Sequence, residues 1–122
     1  MAHEFVFGLI GPICTAQARK TWNGLLKKEG VDGFFDFYRT MNQEDLVTRF
    51  SEMFLLQRRG YLIADSLQKD AVPLMDTLTP EARTKGRVDT VKNERGVLVG
   101  HFMGKAPARE ILDMWLENEV SN

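Results

Sequence analysis

Five polar side chains stand where chemistry could be done: Asp65, Lys69, Asp89, Thr90 and His101. Lys69 follows Asp65 by four residues, so on a helix the two share a face and can pair. The alternative places Lys69 toward the carboxyl ends of the strands, where open α/β sheets take up ligands. His101 has the chemistry of a proton carrier or a metal ligand. Only His3 accompanies it, and no metal-ligand spacing surrounds either residue. Asp89 and Thr90 belong to a β-rich run, where they either complete strand hydrogen bonds or line a pocket. Cys14 is the one cysteine, which excludes an intrachain disulfide and suits a reducing cytoplasm. As a nucleophile Cys14 lacks a nearby histidine, and a small buried residue after a first strand is the simpler reading.

The elements that must position these groups follow from apolar periodicity. Phe5 to Ile10 is a continuous apolar run before Gly11-Pro12, as expected of a strand covered on both faces. Thr15 can cap a helix that carries Ala18, Trp22, Leu25 and Leu26 on one face and ends at Gly30. Phe34 to Tyr38 reads as a second strand. Asn42 with Asp45 resembles a capping box, opening a helix through Leu46, Val47, Phe50, Met53, Phe54 and Gln57 that Gly60 stops. Tyr61 to Ala64 is a third strand, and Asp65 or Ser66 can cap a short helix carrying Ala71, Val72, Leu74 and Met75. Thr79-Pro80-Glu81 starts another helix, with Gly86 at its end. Val88 to Lys92 and Val97 to Gly100 form a hairpin around the polar connection Asn93-Glu94-Arg95-Gly96. Pro107 opens a final helix through about Glu119, with the apolar stripe Ile111, Leu112, Trp115 and Leu116. Strands alternating with helices predict a parallel α/β sheet with right-handed crossovers, to which the hairpin adds an antiparallel strand.

The chain of 122 residues is read as one domain, residues 1–122. Hydrophobic residues make up 43% and charged residues 27%, enough for a core without metal or disulfide. The net charge of −1 gives no general attraction to nucleic acid or to anionic membrane. Arg58-Arg59 and Arg83 to Arg87 are short basic clusters expected on a solvated surface. The N-terminal run is too short and lacks the basic residues for export or membrane spanning, so a cytoplasmic location is expected. Gly8 and Gly11 flank a strand end, but a dinucleotide fingerprint needs a third glycine at spacing, and Pro12 would break its helix-opening turn.

From Ala71 to Gly100 the chain resembles the substrate-binding domain of shikimate dehydrogenases. Leu78-Thr79-Pro80-Glu81-Ala82, Gly86-Arg87-Val88-Asp89-Thr90-Val91 and Gly96-Val97-Leu98-Val99-Gly100 fall at the family's spacing without a gap. Gly8-Leu9-Ile10-Gly11-Pro12 and Trp22-Asn23 resemble, more weakly, its first strand and His-Asn helix. The resemblance implies a three-layer α/β/α sandwich around a mostly parallel sheet of six strands. It also implies that Lys69 occupies the catalytic lysine's position and that Asn23, Asp65, Lys69, Asp89, Thr90 and His101 border the ligand.

The family's functional positions are mostly replaced. Allowing one deletion, Ala16 and Ala18 stand where the family has a Ser-x-Ser pair that holds the shikimate carboxylate. In place of Asn-Val-Thr-x-Pro-x-Lys, counting back from Lys69, Ile63 replaces the Asn, Asp65 the Thr and Leu67 the Pro. Asp89 replaces the Asn of Val-Asn-Thr. Gly100 to Lys105 stands for Gly-Asp-Asn-Thr-Asp-Gly, which puts Gly104 in the place of the catalytic aspartate. The lost contacts, several hydrogen bonds at about 0.5–3 kcal/mol each, predict shikimate affinity reduced very roughly 10³-fold or more.

The expectation is therefore a stand-alone, catalytically inactive domain, with no cofactor or metal of its own, that binds a small hydroxy-acid or other polar ligand but not shikimate. Two alternatives stand beside it. One is the substrate-binding half of a split shikimate/quinate-type dehydrogenase, with NADP carried by a separate chain. The other is a protein-interaction module on the same fold. The last helix, over 105–120, is the counterpart of the family's interdomain helix. It must either fold back on its own sheet or present Ile111, Leu112, Trp115 and Leu116 to a homodimer or partner chain.

Overall fold

The structure is a computed structural model that describes residues 4–117. His3 and the end of the expected last helix beyond Glu117 lie outside the described residues. Six strands form one sheet in the order β2-β1-β3-β5-β6-β4. They are β1 (Phe5–Gly11), β2 (Gly33–Arg39), β3 (Gly60–Ile63), β4 (Thr77–Leu78), β5 (Thr90–Glu94) and β6 (Val97–His101). Pairings β1–β2, β1–β3 and β6–β4 are parallel, whereas β5 runs against both β3 and β6. Five helices complete the fold: α1 (Ala16–Lys28), α2 (Gln43–Leu55), α3 (Gln68–Ala71), α4 (Pro80–Lys85) and α5 (Ala108–Leu116).

Alternation along the strands divides the core into two layers. Ile10, Tyr61, Ile63, Val91 and Leu98 pack against Leu46, Phe50 and Met53 of α2, with Leu67, Ala71 and Ala82. On the opposite face Phe7 and Phe35 pack against Leu26 of α1 and Ile111, Leu112 and Trp115 of α5. Trp115 is fully buried, stacks on Phe7 at 4.8 Å and donates its indole N–H to Val91 O at 3.1 Å. A buried indole hides roughly 200 Å², an upper bound of about 5 kcal/mol before entropy. That burial docks α5 on the chain's own sheet. Ile111, Leu112 and Trp115 are buried and Leu116 packs half-buried beside them. Three of the four side chains of the stripe are thus buried within one chain, and Leu116 keeps partial exposure.

Local signals behave largely as chemistry dictates. The Thr15 and Thr79 hydroxyls accept from Ala18 N and Ala82 N, and Asn42 accepts from Asp45 N. The Asp45 carboxylate reaches back to Met41 N rather than to the cap residue, so the box is offset by one residue. Three expectations are corrected. The hairpin connection is the two-residue turn Arg95-Gly96, because Asn93 pairs with Leu98 and Glu94 with Val97. Both turn residues have positive φ, 54° and 94°, the twist that matches paired strands. Gly60 does not stop α2. That helix ends at Leu55 with Leu56 as its C-cap, after which Gln57 turns left-handed at φ 53°. Gly60 instead begins β3 and leaves room for Trp115, whose Nε1 would lie 2.3 Å from any Cβ placed there. Finally, neither Asp65 nor Ser66 caps the segment after β3, which runs as a 3-10 turn over Asp65–Leu67, then α3, then a second 3-10 turn over Val72–Leu74. The sixth strand, β4, is only two residues long, too short for any periodic signal.

Candidate functional site

The carboxyl ends of β1, β3 and β6 meet the start of β5 at one end of the sheet. Backbone bonds Ala64 N to Ile10 O (2.9 Å), Ile63 N to Asp89 O (2.8 Å) and Asp89 N to His101 O (3.0 Å) tie the four strands together there. Asp65, Lys69, Asp89, Thr90 and His101 all belong to this end. Asn23 does not. It lies midway along α1, where its amide donates to Phe35 O (2.8 Å) and accepts from Phe35 N (2.9 Å). Its expected ligand contact is replaced by this bond to a strand edge, and the same amide nitrogen also donates to Arg19 O.

Asp89 organises the loop after β6. One carboxylate oxygen accepts from Met103 N at 2.8 Å, and the other accepts from Gly104 N at 2.8 Å. Thr90 Oγ1 adds a third donor at 3.0 Å. The half-buried carboxylate thus clamps the turn that carries Gly104, with charge-assisted bonds on both oxygens. Thr90 is buried in mid-sheet, opposite His101.

Sequence reasoning missed Arg87 as part of this end of the sheet, having left it among surface basic residues. Its Nε and Nη2 both donate to Gln68 Oε1, at 3.0 and 2.6 Å. Gln68 is buried and donates onward to Ile63 O at 2.9 Å. Arg87 also reaches Asp65 at 3.4 Å and lies 6.0 Å from the centre of the Phe102 ring. Asp65 is almost fully exposed, so this ion pair contributes little to stability. The signal that could have found Arg87 was its place two residues before Asp89 in the matched run.

Asp65 therefore pairs with Arg87 and not with Lys69. Lys69 is exposed on α3 and has no ion-pair partner among the described residues. His101 is half-buried, and burial, reinforced by the nearby Lys92 ammonium, lowers its proton affinity below that of a free histidine. It sits in β6 as the neutral imidazole near neutral pH. Lys92 is itself buried and donates to Glu117 O, past the end of α5, at 3.1 Å. Cys14 is half-buried rather than fully enclosed, with its thiol against Thr15 O. Among the described residues no three His, Cys, Asp or Glu side chains gather as a metal site, and no helix is long and apolar enough to cross a membrane.

As a chemical arrangement, this end of the sheet offers one exposed ammonium, a carboxylate engaged by backbone and a neutral imidazole. Among the described residues no carboxylate forms an ion pair with the Lys69 ammonium.

No protein-family model matches the chain. Individual relatives do. The chain is 32% identical over 97 residues to the NADP-dependent shikimate dehydrogenase of Geobacter metallireducens, covering 79% of this chain and 34% of that protein. It is 28% identical over 118 residues to the Pyrococcus abyssi enzyme of the same name, covering 96% of this chain and 44% of the relative. The shikimate 5-dehydrogenase of Listeria monocytogenes, solved in complex with shikimate and NAD, superposes with a TM-score of 0.75 at 26% identity, over 81% of this chain and 34% of that one. The chain thus spans about a third to under half the length of the relatives it matches. By sequence and by fold it is a homologue of the shikimate dehydrogenases, over the part that fits their N-terminal, substrate-binding domain.

Proposed function

We propose that this domain binds a small polar molecule other than shikimate and does not itself perform shikimate-type hydride exchange. The observation that carries the reading is the pair Asp89 and Gly104. Oxidation at a ring hydroxyl needs a base positioned against it, a contribution of about 10²–10⁴-fold. In the family resemblance the Lys69 position works with an aspartate at the position of Gly104. Here the Asp89 carboxylate accepts from the Met103 and Gly104 N–H groups. The lysine position is kept without its acidic partner. The alanines at positions 16 and 18, with Asp65 and Asp89 as acidic replacements, also argue against a carboxylate-bearing ligand in the family's orientation.

A second reading is favoured by Lys69 itself, exposed after the carboxyl end of β3, the side on which open α/β sheets take up ligands. It makes the domain the substrate-binding part of a shikimate/quinate-type dehydrogenase whose NADP-binding part lies elsewhere. The protein-interaction reading needs a closed or apolar former pocket together with an extensive interface at the last helix, and Ile111, Leu112 and Trp115 of that helix pack on the chain's own sheet.

Thermal melting in the presence of shikimate, quinate and related hydroxy acids separates the first two readings. A ligand at 100-fold above its Kd raises stability by about 2.7 kcal/mol. The proposal expects no shift with shikimate or quinate. A saturable shift with either, together with NADP-dependent turnover, overturns it in favour of the dehydrogenase reading.

A further inference from the structure

We infer that Arg19 and Asn23 of α1 form a guard along the outer edge of β2 that keeps this strand from pairing with the β2 of a second copy of the chain. β2 is the outermost strand on its side of the sheet and pairs only with β1. Its sequence Phe34-Phe35-Asp36-Phe37-Tyr38 is aromatic, strongly β-forming and free of proline. A seven-residue edge of this kind is a template for strand addition unless something occupies its outward N–H and C=O groups.

In this strand every outward N–H but one is occupied from within the chain. Strand geometry sends both backbone groups of one residue to the same side. Since Phe35 N and Phe35 O both bond to Asn23, the outward residues are Gly33, Phe35, Phe37 and Arg39. Gly33 N donates to Val31 O at 2.9 Å. Phe35 exchanges a donor and an acceptor with the Asn23 amide, which presents one N–H and one C=O as a peptide group of a neighbouring strand would. Phe37 N donates to the Asp36 carboxylate at 2.7 Å. Arg19, one helical turn before Asn23, holds that carboxylate in place at 2.8 Å. Arg39 N–H is the outward amide with no partner among the described residues. The occupant excluded is a second copy, because two identical β2 edges are self-complementary about a two-fold axis.

The test compares the parent chain with N23A and R19A/N23A by size-exclusion chromatography with light scattering across a dilution series. Folding is checked by circular dichroism. The inference expects a larger, concentration-dependent species in the variants that the parent lacks. Adding F37P should abolish that species, since proline removes an outward N–H without touching the β1 ladder. A folded N23A and double variant with the parent's species at every concentration overturn the inference. Should the variants fail to fold, amide hydrogen exchange on the parent decides. Phe35 and Phe37 are expected to exchange about tenfold or more slower than Arg39, the protection of one hydrogen bond. Rates equal to that of Arg39 overturn the inference.

Discussion

Replacing Asp89 with alanine tests whether its carboxylate is a structural clamp or a free ligand group. The substitution strips two backbone donors, Met103 N and Gly104 N, of their charged acceptor and leaves the Thr90 hydroxyl without its partner. Hydrogen bonds to charge contribute about 1.5–3 kcal/mol each, so two give about 3–6 kcal/mol before solvent is considered. Gly104 is exposed and Asp89 half-buried, so water recovers part of this, and a loss of about 2–3 kcal/mol is expected. In a domain of this size that lowers Tm by about 6–18 °C. Asp89→Asn keeps one accepting oxygen and is expected to lose about half as much. Urea unfolding followed by circular dichroism reads both values, with an m-value unchanged from the parent. If Asp89→Ala lies within about 0.5 kcal/mol of the parent, the clamp does not hold the turn and the reasoning fails. A carboxylate kept for a ligand gives the opposite pattern, with binding lost and stability unchanged.

Other expectations follow from single contacts. Gly60→Ala places a Cβ against the Trp115 indole, and an overpacking loss of about 1–3 kcal/mol is expected in the same urea assay. Gln57→Gly relieves a left-handed φ at an exposed position and should raise stability by about 0.5–1 kcal/mol, visible as a higher Tm. His101 titrates below a free histidine when folded, because burial and Lys92 oppose its charge. The unfolded chain therefore takes up the proton first, and stability is lost as pH falls below the ordinary histidine range. Denaturation between about pH 7 and pH 5 should show that loss in the parent, and His101→Gln should flatten it.

The fold was legible where local chemistry and burial agree. The caps at Thr15, Asn42 and Thr79 are single side chains acting on the next turn, so their residue types disclose them. The apolar run of β1 is covered on both faces, as its lack of alternation implies. Gly60 misled because a glycine after an apolar helical stripe resembles a stop. Its actual reason is an indole more than fifty residues later in the chain. Asn23 misled likewise, since an amide on a helix does not announce that it faces a strand edge rather than a ligand. Arg87 was hidden because a surface arginine and one that braces a buried glutamine have the same local sequence. The stripe on α5 was identified correctly as apolar, but only the tertiary arrangement shows that its cover is the chain's own sheet.

The central claim, that the Lys69 end of the sheet no longer serves shikimate, is tested most directly by titrating shikimate into isotopically labelled protein and following the amide resonances of Lys69, Thr90 and Gly104. With several hydrogen bonds lost, no saturable shift is expected up to about 10 mM. Saturable shifts at those three positions with a Kd in the micromolar range would contradict it.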